Sequence, residues 1–384
     1  MYNQNMKNNH MKKAVCTMIP TMEEYKEGST KKRNELQRLF HGANVAPFLS
    51  MENPYHYRCK VIASFAKKKG KVIAGIYQEN THKVIAEKDT YMQDKQANAI
   101  LKTIVQYVNA YKIEPYNEDT GYGLLRHVLI RVGKYSDEIL VCFVLANSTF
   151  PSRKNFAQSI MKQHPNIKTI TYSVNAKQTS IVLGNNDKTI IGPGFIYDYL
   201  DDLKFRISSR SFYQVNPIQT ERLYKVALEK ADIKDSDKVL DTYCGIGTIT
   251  LLASRLANFV VGVESNPAAI GDAMFNQKIN QITNVEFIKK DATVFMNQMA
   301  MKKETFDVLI MDPPRSGSTK SFIQAVGKLQ PKKVLYISCN PTTLKQDLKE
   351  FKKVGYEYTE VIPVDMFPFT DHVECIALLT KIEK

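Results

Sequence analysis

Short apolar runs recur between residues 238 and 381 and alternate with stretches whose apolar residues are spaced for helices. The runs are KVLDTYC, FVVGVES, VEFIKKD, FDVLIMDPP, KVLYISCNP, TEVIPVDMF and VECIALLTK. Ahead of the first, FYQVNPIQTERLYKVALEKA supplies a helix, with Asn216 and Pro217 as its start. Regular alternation of this kind predicts an α/β, doubly wound, mostly parallel sheet. In that architecture ligands bind at the carboxyl ends of the strands.

The pattern before residue 204 is different. From YHYRCKVIASFA to about residue 200 the chain reads mainly as strands, broken by the turn signals KKKGK, LGNNDK and GPG, with helical patches at 95–110 and 153–163. Residues 1–44 are polar and Lys-rich, and Leu36, Leu39 and Phe40 in KKRNELQRLF fall at helical spacing. Three units are therefore expected: a basic, partly helical segment over 1–44, a mixed α+β domain over 45–203, and the doubly wound domain over 204–384.

Charge sharpens this division. The 384 residues carry a net +14, of which +12 lies in residues 1–200 and +2 in residues 201–384. A field of that sign favours polyanions, and RNA or DNA is the commonest candidate, against the plainer reading of a Lys-rich solubilising surface. No run of about 18 apolar residues is present, so no membrane span is expected. Lys7, Lys12 and Lys13 are not followed by an apolar segment, which argues against a secretory signal and for a cytoplasmic protein. The six cysteines, at 16, 59, 142, 244, 339 and 375, show no C-x-x-C or paired spacing. Neither a metal, an iron-sulfur cluster nor a disulfide framework is expected.

Candidate chemistry gathers at the strand ends. DTYCGIGTITL closes the first strand and opens a helix, so Gly245 and Gly247 let the backbone approach a ligand. Thr250 stands where a dinucleotide fingerprint would carry its third Gly. Glu264, ending the next strand, is placed to bind two ribose hydroxyls of either a nicotinamide cofactor or S-adenosylmethionine, and without the third Gly the second is favoured. MDPPRSG leaves Asp312 at the sheet edge, with a turn cap as the alternative role, and Arg315 occupies the place where amino-group methyltransferases carry an aromatic. Cys339 ends the fifth strand just before a helix opening at Pro341, a junction where the helix dipole favours the thiolate. The alternative is a buried structural cysteine. In a methyltransferase sheet the seventh strand runs antiparallel beside the fifth, which puts His372 and Glu374 of TDHVECIALL at the same edge and makes Glu374 a candidate proton acceptor.

Together these stretches resemble the uracil-5 RNA methyltransferases, which form 5-methyluridine in 23S ribosomal RNA and in the transfer RNA T-loop. The resemblance runs from KFRISSRSFYQVNPIQTERLY through YISCNPTTL to VDMFPFTDHVECIALL, covering 204–380, with a weaker match in MENPYHYR. It implies a Rossmann-like S-adenosylmethionine-dependent domain, with Gln214, Tyr243, Gly245, Glu264 and Asp312 binding the cofactor, Cys339 as nucleophile and Glu374 as base. Arg58, Lys60, Arg315 and His372 are candidates for RNA contacts, and the 45–203 domain for RNA binding. The run MFPFTDHVEC is similar to the MFPHTNHVEC of the ribosomal branch, with Phe369 and Asp371 as departures, so 23S ribosomal RNA is the favoured substrate and transfer RNA the alternative. Many ribosomal members also have an N-terminal barrel and four cluster cysteines, of which only Cys16 falls nearby. A non-catalytic RNA-binding protein on the same fold is the rival from another class, and a monomer is expected.

Overall fold

The computed structural model describes residues 19–79, 81–86, 90–177, 181–185 and 187–382. Lys7, Lys12, Lys13, Cys16 and residue 186 of the LGNNDK turn lie outside them. The first helix, α1 (Met22–Leu39), opens with a capping box: Thr21 Oγ1 accepts from the Glu24 N–H at 3.2 Å, and Glu24 Oε2 accepts from the Thr21 N–H at 2.8 Å. The helix expected over KKRNELQRLF is its second half. Strand β1 (Asn44–Val45) follows and pairs in parallel with a strand more than 300 residues later, Asn44 against Glu360.

The 45–203 segment builds a seven-stranded sheet. In chain order its elements are β2 (Lys60–Lys68), β3 (Lys71–Tyr77), β4 (Val84–Ala86), α2 (Lys95–Ala110), β5 (Leu125–Val132), β6 (Ile139–Leu145), α3 (Arg153–Gln163), β7 (Ile167–Val174) and β8 (Asp187–Ile191), and the strand order is β4-β3-β2-β5-β6-β7-β8. The two expected helical patches are α2 and α3. They cover one face, packing Ile100, Ile104, Phe156 and Ile160 on Val128, Ile130, Val141 and Phe143. In KKKGK, Lys69 and Gly70 take φ of 49° and 77°, the left-handed pair of a two-residue hairpin turn between β2 and β3.

A hairpin, β9 (Phe195–Leu200) and β10 (Leu203–Ser208), leads to the doubly wound part. The boundary expected between 203 and 204 falls inside β10. After it come α4 (Pro217–Ala231), β11 (Lys238–Thr242), α5 (Thr248–Ala253), β12 (Phe259–Glu264), α6 (Pro267–Ile279), β13 (Val285–Lys289), α7 (Ala292–Lys302), β14 (Val308–Met311), α8 (Lys320–Leu329), β15 (Lys333–Ser338), α9 (Pro341–Lys353), β16 (Tyr356–Val364) and β17 (Glu374–Lys381). All seven apolar runs are strands. With β1 they form one sheet in the order β1-β16-β17-β15-β14-β11-β12-β13, parallel except for β17. Strand alternation sends Val239, Ile310 and Ile337 into one core and Leu240, Leu309 and Tyr336 into the other. The first of these cores also takes in Leu129, Leu140 and Cys142, so the free face of the central sheet packs toward the C-terminal domain.

Two contacts tie the N-terminal segment to the loop before β17. Lys32 of α1 is buried and donates from Nζ to Asp365 Oδ1 at 2.8 Å and to the Phe367 carbonyl at 3.2 Å. Phe369, one of the two departures in MFPFTDHVEC, has φ of 63° and packs its ring among Tyr25, Tyr55 and Tyr91 at centroid distances of 5.4, 5.3 and 5.2 Å. Its effect is thus visible: an apolar ring pins the loop to three segments at once. Among the described residues no helix is long and apolar enough to cross a membrane. Replacing Lys32 with Ala leaves Asp365 buried without its cation, and urea unfolding is expected to show a loss of about 3 kcal/mol. A loss well below 1 kcal/mol would mean that water reaches Asp365.

Candidate active site

The strand order reverses between β11 and β14, so a crevice opens outside their carboxyl ends. On its β11 side the chain turns through Tyr243 and Gly245, with φ of 67° and 57°, before α5. A Cβ built at Gly245 meets nothing within 4 Å, whereas one at Gly247 would stand 2.7 Å from the Phe287 ring. Gly245 is therefore open on the crevice side, while Gly247 lets helix and sheet close up. Glu264 at the end of β12 accepts from the Gly245 N–H at 3.2 Å and the Asn266 N–H at 2.7 Å, which fixes its carboxylate over the turn. Tyr243 lays its ring 5.9 Å from that of Phe322. Beneath the turn, Thr250 donates to Asp241 Oδ2 at 2.5 Å, leaving the buried Oδ1 without a partner. Burial, with Asp312 and Glu264 adding to it, pushes Asp241 up to about 8 against the Thr250 hydrogen bond.

The second half of the site lies at the ends of β14, β15 and β17. Asp312 follows β14 directly, and the RSG turn after it docks on α9. Gly317 has φ of 78° and no room for a Cβ against Asp347, whose Oδ2 accepts from the Ser318 N–H at 2.8 Å. Asn340 caps α9 by accepting from the Thr342 N–H at 3.1 Å and donates to the Arg315 carbonyl at 3.0 Å, so it joins the cysteine loop to the arginine loop. The β15–β17 register pairs Ser338 with Cys375 and so brings Cys339 and Glu374 to one edge. Glu374 is 3% exposed. Burial and the neighbouring Asp312 hold its carboxyl well above the usual range, and burial does the same for Asp312. Of the five cysteines among the described residues, only Cys339 is not buried. It opens into a cavity of about 480 Å³ lined also by Arg315, His372, Lys32, Leu36 and Leu39.

Over residues 24–382 the sequence matches the family described as tRNA (uracil-5-)-methyltransferase. The chain belongs to this family. An uncharacterized RNA methyltransferase of Oceanobacillus iheyensis is 43% identical over 337 residues, 88% of this chain and 73% of that one. One from Bacillus cereus is 38% identical over 340 residues, 88% and 74% of the two chains. Among solved structures, a tRNA (uracil-54, C5)-methyltransferase of Pyrococcus abyssi in complex with S-adenosyl-L-homocysteine superposes with a TM-score of 0.77 at 26% identity, covering 93% of this chain and 83% of that one. The chain is accordingly an S-adenosylmethionine-dependent RNA methyltransferase of uracil C5 with a Rossmann-like domain. The crevice fits the methyl donor: a glycine turn open to a ligand and a fixed carboxylate above it.

The geometry places the expected residues in three groups. Tyr243, Gly245, Glu264 and Asp312 line the crevice ends, and Cys339, Glu374, Arg315 and His372 gather around or beside the cavity. Gln214, in the loop before α4, lines a small cavity with Lys60 and Arg131. Arg58 and Lys60 are both half-buried and not on an open face. One expectation is overturned. The helix does open at Pro341, but its dipole does not win: burial, then Glu374 and Asp312, push the Cys339 thiol up to about 11, with the Arg315 cation pulling the other way. Lys32, Leu36 and Leu39 were not legible as site residues, because nothing in the sequence says that α1 packs beside β15 and β17. Among the described residues no cluster of three or more His, Cys, Asp or Glu is placed to hold a metal.

Asp241 gives a pH test. Its folded value lies above the ordinary carboxyl value of 3.8, so the folded protein retains a proton that the unfolded chain has released, and this stabilisation fades as pH rises from about 4 to about 8. The melting temperature of Asp241→Asn minus that of the wild type, both free of ligand, is expected to grow from pH 5 to pH 8.5. A difference that stays flat would mean that Asp241 is already ionised in the fold.

Proposed function

We propose that Cys339 is the nucleophile and Glu374 the base of 5-methyluridine formation, acting on 23S ribosomal RNA. The observation that carries the chemistry is the meeting, at one sheet edge, of the only unburied described cysteine and a buried carboxyl, beside a cavity large enough for a nucleobase. Uracil C5 is a poor nucleophile, so the ring must be activated first. The Cys339 thiol releases its proton to solvent through the cavity, the thiolate sulfur bonds to C6, and the electrons of the C5=C6 bond move toward O4 as an enolate. Arg315 favours this step, because its charge lowers the cost of the thiolate beside two carboxyls. S-adenosylmethionine, when bound, supplies an electrophilic methyl group for C5. Tyr243, Gly245, Glu264 and Asp312 would hold it in the crevice, with Gln214 reaching it from the loop before α4. Glu374, its proton released to solvent and its carboxylate favoured by Arg315, then takes the proton from C5, the C–H electrons restore the C5=C6 bond, and sulfur leaves C6 as thiolate.

A uracil held in a stack is out of reach of Cys339, so the base must swing out, at a cost on the order of a few kcal/mol. Contacts from Arg315 and His372 at the cavity, and from Arg58 and Lys60 beyond it, offset that cost. The MFPFTDHVEC run supports a ribosomal substrate. A T-loop uridine of transfer RNA is the second reading, supported by the likeness to the Pyrococcus abyssi enzyme. Both parts are tested in a deletion strain carrying either the wild-type gene or Cys339→Ala, with 5-methyluridine mapped by mass spectrometry. The wild type is expected to restore the nucleoside in 23S ribosomal RNA and the variant to leave it missing. Restoration by the variant would eliminate the nucleophile, and loss from transfer RNA alone would move the target to the T-loop.

A further inference from the structure

Lys60 and Arg131 lie between the central sheet and the C-terminal domain, and with the neighbouring Arg58 they make three cations that no carboxylate among the described residues pairs with. Lys60 of β2 and Arg131 of β5 stand directly opposite each other in the sheet register, an arrangement that like charges make unfavourable. Arg131 is 4% exposed. One guanidinium nitrogen donates to the Ser211 carbonyl, while the buried Nε has no partner. Among the described residues no Asp or Glu forms an ion pair with Arg131, Lys60 or Arg58. The contrast is on the same strand: Arg126, equally buried, is held by Glu118 at 2.7 and 2.9 Å and by the carbonyls of Asn175 and Lys177. A buried cation left uncompensated is costly, and the β5 strand solves that problem at one arginine and not at the other.

The mismatch has a location. Strand alternation puts Arg131 on the same face as Leu129, which packs into the core shared with Phe205, Ile207 and Tyr213 of the C-terminal part. Lys60, Arg131, Tyr213 and Gln214 line a cavity of about 10 Å³, room for a single oxygen atom. The charges also continue toward the nucleophile. Arg58 lies close enough to act electrostatically on Lys60 on one side and on His372 on the other, and His372 in turn feels Arg315. Cations therefore run from Arg131 and Lys60 through Arg58 to His372 at the rim of the Cys339 cavity, where Asp371 is a carboxylate that also acts on His372.

We propose that Lys60 and Arg131 form an anion site that takes one oxygen of an RNA phosphate neighbouring the target uridine, with Arg58 continuing the contact toward His372. The inference rests on the reading that the uridine enters the cavity beside Cys339. It explains why Lys60 and Arg131 face each other: the counter-ion arrives with the substrate. It also gives the small cavity a ligand of its own size, since an oxygen on a larger anion fits where a whole phosphate does not. The other anion available nearby is the carboxylate of the methyl donor, and the two sources are separable.

The test uses the full chain with a uridine-containing RNA stem-loop, without methyl donor, by filter binding across a KCl series. Lys60→Met and Arg131→Met are each expected to weaken binding by about tenfold and to reduce the slope of log K against log salt by about one, with S-adenosylmethionine affinity by calorimetry unchanged. Unchanged RNA affinity in Lys60→Met would overturn the proposal, whether or not Arg131→Met folds. Loss of S-adenosylmethionine affinity with RNA binding intact would assign the site to the donor carboxylate and overturn it as well. Because binding is read without methyl donor or turnover, its outcome does not depend on whether Cys339 is the nucleophile, which the 5-methyluridine mapping with Cys339→Ala decides separately.

Discussion

The antiparallel pairing of β17 with β15 is the constraint on which the site depends. Ser338 opposite Cys375 fixes everything beyond it: the chain leaves β15 at Cys339 and enters β17 at Glu374, so a thiol and a carboxyl from residues 35 apart in sequence share one sheet edge. Side chains alternate along a strand, and a slip of one residue would turn Glu374 toward the opposite face and bring Cys375, which is core, to the edge. The register is held by burial on both sides. Ile337 and Ile376 belong to one core while Tyr336, Cys375 and Ala377 belong to the other. The packing of a doubly covered sheet thereby sets a distance that chemistry needs.

The same burial gives the site its electrostatic character. Asp241, Asp312, Glu374 and Cys339 all have their charged forms disfavoured, and Arg315 is the cation that opposes this at Glu374 and Cys339. The ligand-free protein thus disfavours the charged forms of these groups, and Glu374 must be ionised, which Arg315 favours, before it can act as a base. A thiolate is made only where a positive charge outweighs two neighbouring carboxyls, which couples the reactivity of the cysteine to what occupies the crevice. A raised thiol pKa leaves less of the sulfur as the reactive thiolate.

Much of this was legible in the sequence, for physical reasons that differ by element. The seven apolar runs of the C-terminal half became seven strands because strands buried on both faces need continuous apolar residues, and strand ends carry Gly245, Glu264, Asp312 and Cys339 because the doubly wound architecture exposes only those ends. The antiparallel place of β17 came from the likeness to methyltransferase sheets and not from periodicity. What could not be read were contacts far apart in sequence. Nothing in α1 announces that Lys32 will meet Asp365, nor in two-residue β1 that it will extend the sheet. The thiolate expected at Cys339 is disfavoured because a helix dipole is a local effect, visible in Asn340 and Pro341, whereas burial, Glu374 and Asp312 act on the sulfur only through the fold. Arg131 lies in an apolar run, and its lack of an ion-paired carboxylate among the described residues is a property of its surroundings alone.

The central claim, a transient bond between Cys339 and the pyrimidine ring, is tested most directly by incubating the protein with S-adenosylmethionine and RNA containing 5-fluorouridine. Fluorine at C5 cannot be removed as a proton, so sulfur should remain attached. Mass spectrometry of the digested complex is predicted to find a methylated fluorouridine fragment on Cys339. Absence of any link at that residue, with ordinary RNA still converted to 5-methyluridine, would contradict the account.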